Sequence, residues 1–131
     1  MSTQGNTDII DITEKITEIL NKSELQQGLL NVFINGSTGA LTTIEFESGL
    51  LEDFKLLWKK LIPSQQYYHH HDKWQDGNGH SHLRASLIGP SLTIPFNQGK
   101  LNLGTWQQVV FIDFDNVSRN RSVQVNLIGK R

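Results

Sequence analysis

The chain has 131 residues, twelve of them basic and thirteen acidic, for a net charge of −1, with eleven glycines and no cysteine. That length suits one compact domain and falls well short of the ~250 residues of a (β/α)₈ barrel. The missing cysteine excludes disulfides, thiolate metal sites and cysteine nucleophiles, and the absence of a long one-signed charge run removes the electrostatic footprint of a nucleic-acid binder.

Nothing in the chain has the ~18 or more consecutive apolar residues of a membrane span. The opening "MSTQGNTDIID" lacks the basic and apolar regions of a signal peptide. A soluble cytoplasmic protein with neither a nucleic-acid nor a membrane partner is the expectation.

In chain order, "Ile9-Ile10" closes a short strand and "DITEKITEIL" is a helix. Asp11 and Glu14 have capping-box spacing, and Ile12, Ile16, Ile19 and Leu20 share one face. "GLLNVFI" (Gly28 to Ile34) is a continuous apolar run expected as a buried strand, and "LTTIEFE" (Leu41 to Glu47) alternates as another. Ser48 is placed to cap the helix "GLLEDFKLLWKKL", with Leu50, Phe54, Leu57, Trp58 and Leu61 as its core stripe and Pro63 just beyond it.

A histidine-rich loop follows, then a short helix near Ser81, capped by Ser81 or Asn78, with Leu83 and Leu87 one turn apart and Gly89-Pro90 as its stop. "SLTIPF", "VVFIDFD" and "SVQVNLI" complete a β-meander, with "NQGK" as a turn. The expected fold is α+β: one domain over residues 1–131, a mostly antiparallel or mixed sheet, two main helices and a short one.

All five histidines lie in "HHHDKWQDGNGHSH", His69 to His82. Imidazole is the commonest protein metal ligand, but histidines in polar loops are usually solvated, and three in a row cannot face one point. On a strand, His80 and His82 would share a face; on a helix they lie about 200° apart. The glycines of "DGNGHSHLR" lead into a helix N-terminus, which with Arg84 suits a phosphate or carboxylate, or is simply the start of a helix. Glu45 and Glu47 form an i,i+2 pair that is either a general base or a solvent face. Trp106 is either a stacking platform or a cover for the sheet edge. Arg119 and Arg121 in "SRNR" either grip an anion or sit in a solvated turn.

The segments "GNTDIIDIT", "STGALTTIEFESG", "DGNGHSHLRASLIGPSLTIPF" and "LNLGTWQQVVFIDFD", from about Gly5 to Gly129, together resemble the YjbQ-like family. That resemblance implies a small α+β protein that assembles as a homotrimer. In some members it also implies thiamine-phosphate synthase activity, joining an aminopyrimidine diphosphate to a thiazole phosphate.

The family motifs fall on Ser37, Thr38, Glu45, Asp53, His70, His82, Gly104, Thr105, Trp106, Gln107 and Arg121, with Arg84 at a basic position. For a small phosphorylated heterocyclic substrate, the implied roles are Glu45 and His82 in catalysis and Ser37, Thr38, Arg84, Gln107 and Arg121 on phosphate. His70, His80 and His82 are the implied ligands of a divalent metal, zinc or magnesium. The alternatives are a metal-dependent hydrolase of a small phosphate or amide, and a non-catalytic metal- or ligand-binding trimer. Two features depart from the family pattern: many relatives have a histidine where Gly36 stands and none matching His80, and the first strand looks short.

Overall fold

A computed structural model describes residues 1–131 and has nine strands and four helices. The core is set by β7 (Gln108–Asp113), the middle strand of a three-stranded antiparallel sheet between β2 (Asp8–Asp11) and β4 (Gly39–Ile44). Its run "VVFIDF" is apolar at nearly every position because both faces are covered. Val109 and Phe111 point into one core, and Val110, Ile112 and Phe114 into another.

The first core lies between this sheet and a four-stranded antiparallel sheet, β6 (Lys100–Leu101), β5 (Ser91–Asn97), β3 (Gln27–Ile34) and β9 (Val123–Lys130). Helix α1 (Thr13–Ser23) contributes Ile16 and Leu20 to it, joined by Leu30, Val32, Ile94 and Phe96 from the sheet. The second core lies on the far face of β7, where α2 (Ser48–Leu61) and α4 (Gly79–Ile88) insert Trp58 and Ala85. The ring of Phe111 packs on Gly39, where an added Cβ would meet it at 2.8 Å.

A two-residue strand, β1 (Ser2–Thr3), pairs with β8 (Arg119–Asn120), so the short first strand covers the segment after β7. No helix is long and apolar enough to cross a membrane.

The α+β architecture and most element positions match the sequence expectation, and the differences have local causes. Asp11 does not form a capping box with Glu14. Its Oδ1 instead accepts hydrogen bonds from the Thr13 N–H and hydroxyl at 2.9 and 2.6 Å, turning the chain before α1. Strand β4 stops at Ile44, because Glu47 and not Ser48 caps α2: its carboxylate accepts from the N–H groups of Gly49 and Leu50 at 2.9 and 2.6 Å.

Along α2, Trp58 is buried while Leu57 and Leu61 are exposed, as are Ile19 on α1 and Leu83 and Leu87 on α4. The apolar stripes are therefore wider than the surface this chain alone covers. The triple histidine is not loop but opens a short helix, α3 (His70–Trp74).

Candidate functional site

Helix α4 starts at Gly79, with Asn78 rather than Ser81 at the cap position, so His80 and His82 both lie on it. Two features fix that start. Asn78 is buried, and its Oδ1 accepts from the backbone N–H of Asn116, while the Asn116 side chain donates to the Asp76 carbonyl at 2.8 Å. Gly79 lets α3 approach closely: a Cβ there would stand 2.9 Å from Tyr68 Cβ and 3.2 Å from His70 Cβ.

That approach brings His70 onto His82, with ring centroids 4.6 Å apart and planes tilted by 40°. His70 Nδ1 lies 3.5 Å from Asp76 Oδ1, close enough for attraction but without a hydrogen bond. Burial pushes the His82 imidazole below its ordinary pKa and the neighbouring His70 adds to this; Asp76, Asp115 and the Ser37 backbone pull it the other way. His69 is solvent-exposed, and His71 packs edge-on to Tyr68 with ring centroids 6.0 Å apart.

His82 separates two adjoining chambers that share Gly36 and Ser37. One, about 470 Å³, is wholly polar and includes Thr38, Asp76, Asp115, Arg119 and Arg121. The other, about 440 Å³, has Leu83, Ala85 and Pro90 on its wall.

Arg121 reaches the polar chamber from a buried network. Its Nε and Nη2 donate to the Asp113 carboxylate at 2.9 and 3.1 Å, and Nη2 also donates to Thr38 Oγ1 at 2.7 Å. Thr3 donates to the same Asp113 carboxylate at 2.6 Å. Asp113 raises the Arg121 pKa above its ordinary value. Burial alone would raise Asp115, but hydrogen bonds from Thr38 and Val117 and the charges of Arg119 and Arg121 hold it below the ordinary carboxylate value. The guanidinium is thus anchored by carboxylates, and Nη1 is the end left facing Gly36, 3.2 Å from where a Cβ would stand. The Thr38 hydroxyl is used within this network, donating to Asp115 at 3.0 Å, while Ser37 is exposed at the rim.

Four expected residues lie elsewhere. His80 and Arg84, one turn apart on α4, face the side opposite His82, so Arg84 is not in the chamber and His70, His80 and His82 do not share one centre. Glu45 is beyond the far end of β4, beside Trp106 and Thr105. Gln107 donates to Thr43 at 3.2 Å, near that same end.

Sequence reading missed Asp76, Asp113 and Asp115. The alternation of "FIDFD" carried the signal for the last two: on a buried strand, carboxylates beside Phe111 demand a cation, and Arg121 supplies it.

The donor set bears on the implied metal. No three His, Asp or Glu side chains are grouped to hold an ion, whereas zinc ordinarily takes three or four protein ligands. Gly36 lies on the wall of both chambers beside His82 and brings no ligand there. Imidazole suits transition metals rather than a hard cation such as magnesium, so His70, His80 and His82 do not assemble the implied metal site, and Asp76 and Asp115 are the carboxylate donors on the polar chamber's wall.

A sequence model of the family described as "UPF0047 protein YjbQ-like" matches residues 1–130. A UPF0047 protein of Methanothermobacter thermautotrophicus is 38% identical over 99% of this chain and 89% of its own. Another, from Archaeoglobus fulgidus, is 38% identical over 94% of each chain. Among solved structures, a YbjQ-like protein of unknown function from Sulfolobus solfataricus superposes with a TM-score of 0.92 at 29% identity, covering 99% of this chain and 94% of that one. A YjbQ/UPF0047 protein of Clostridium acetobutylicum does so with a TM-score of 0.87 at 32% identity, covering 98% of each.

Proposed function

The chain belongs to the YjbQ-like UPF0047 family, and we propose that the two chambers meeting at His82 form an active site for a small phosphorylated heterocycle, with thiamine-phosphate synthesis as its reaction. The observation that carries this reading is the position of His82, backed by the His70 ring, on the wall shared by a wholly polar chamber and one with apolar residues.

In that reaction the bond between the pyrimidine methylene carbon and the diphosphate oxygen breaks. The electron pair leaves with diphosphate, and the thiazole nitrogen forms the new C–N bond. The polar chamber supplies what the leaving group needs: Arg121 Nη1, Arg119 and Ser37 as donors to developing negative charge. Leu83 and Pro90 offer a surface for a ring. Burial lowers the His82 pKa and so favours its neutral form, which can accept a proton. A divalent cation bound with the diphosphate would neutralise part of its charge, and Asp76 is the chamber carboxylate that would hold it.

The test is formation of thiamine phosphate from the two substrates, with and without magnesium, by the unaltered protein and by His82→Ala. We expect turnover by the former and a loss on the order of 10²-fold or more in the variant. Full activity in His82→Ala overturns the site, and an inactive unaltered protein overturns the reaction. Diphosphate release that needs no thiazole would replace the synthase by a hydrolase, and binding without turnover would replace it by a ligand-binding protein.

A further inference from the structure

On the opposite face of α4 from His82 lies a cavity of about 320 Å³ bounded by α2 and α4. Two i,i+4 pairs line it: Lys55 and Lys59 from α2, His80 and Arg84 from α4. Thr7 and Ser64 add hydroxyls, and Glu52 is the one carboxylate on its wall.

Arg84 is only 5% exposed, yet all of its partners are neutral. Its Nε and Nη2 donate to the Ile62 carbonyl at 3.0 and 2.8 Å, Nη2 also to the Trp58 carbonyl at 3.5 Å, and Nη1 to Thr7 Oγ1 at 3.2 Å. These bonds close the C-terminus of α2 and leave one N–H of Nη1 without a partner. Neither Arg84, Lys55 nor Lys59 makes an ion pair within the chain.

Buried charges are ordinarily paired, as Arg121 is in this same protein. Beside Arg84, His80 is 4% exposed and its Nδ1 has no hydrogen-bond partner. The wall is held in a costly shape as well. Asn6 and Thr7 adopt φ of 54° and 65°, a conformation in which a β-branched residue is an outlier.

We propose that this cavity is a second anion site, which takes the phosphate group of a small phosphorylated ligand on Lys55, Lys59 and Arg84. The ligand supplies the negative charge that the chain itself withholds from Arg84. At about 320 Å³ the cavity has room for a small ester as well as the phosphate group.

The experiment is a titration of the full chain with inorganic phosphate, and separately with glycerol 3-phosphate, against chloride at matched ionic strength. It is read from the NMR signals of the His80 ring and the Arg84 side chain. Both signals should shift with phosphate and not with chloride. Affinity should fall about tenfold or more in Lys55→Ala/Lys59→Ala, two exposed positions whose loss leaves the α2 cap intact. Arg84 itself is a poor variant, because it closes that helix. The His82→Ala protein should respond like the unaltered one, which keeps this site separable from the chamber at His82. Equal shifts with chloride, unchanged affinity in the lysine variant, or loss of the response in His82→Ala would each overturn the second site.

Discussion

His80 and His82, two positions apart on α4, are both held below the ordinary imidazole pKa, and burial is the first cause for each. For His80 the charges of Arg84 and His71 act in the same direction, while the Gly77 backbone and Asp115 oppose it; for His82 the second contributor is His70. Below the ordinary value of 6.5 the unfolded chain takes up protons that the folded chain refuses, so folding stability falls as pH drops through that value. The melting temperature should therefore rise between about pH 5 and about pH 7. Replacing either residue by Gln should flatten that rise, as checked by thermal unfolding across the range. A rise of unchanged steepness in both variants would assign it to other groups. Asp115, held below its ordinary 3.8, adds a second loss of stability only at more acid pH. At this scale the sequence was legible in residue type and not in direction. It shows His80, His82 and Arg84 as neighbours, but which of them share a face depended on whether α4 starts at Gly79 or two residues later, and a tertiary contact from Gly79 to α3 decided that.

At the scale of elements, β7 organises both cores, and its "VVFIDF" run made that role readable, since only a strand covered on both faces stays apolar at successive positions. Phe111→Ala, which empties the space above Gly39, should cost about 3–5 kcal/mol in denaturant unfolding. Ile128→Ala on β9, at a side chain 76% exposed, should stay within about 0.5 kcal/mol. Similar losses for the two would contradict the layer arrangement. The ends of elements were less legible because polar side chains set them by direct competition for backbone groups. Glu47 takes the first N–H groups of α2 and thereby ends β4 early, which moves Glu45 off the strand. The outward Leu57, Leu61, Leu83 and Leu87 obey helical periodicity and still find no cover, because periodicity reports an apolar face and not what lies against it.

Across the whole molecule, two clusters of family-motif residues stand at opposite ends of β4. Ser37 and His82 lie near Gly39, whereas Glu45, Trp106 and Gln107 lie beyond Ile44. Six residues of strand separate them by roughly 17–20 Å, too far for Glu45 to act on a ligand held at His82 of the same chain. The homotrimer that the family resemblance implies would remove this difficulty if each subunit presented its Glu45 end to the His82 chamber of the next, a head-to-tail contact that closes under threefold symmetry. Exposed Trp106 and Phe46, beside Glu45, and exposed Leu83, beside His82, are the side chains such a contact would bury. Light scattering should then give a mass three times that of the chain, and His82→Ala and Glu45→Gln should each abolish turnover alone. When the two inactive variants are unfolded together and reassembled in equal amounts, a shared site forms wherever an intact His82 meets an intact Glu45 from its neighbour. Random assortment makes that about one quarter of all sites, so about a quarter of the original activity should return. A site contained within one chain would return none, and that result would separate the function proposed for His82 from the assembly proposed to complete it.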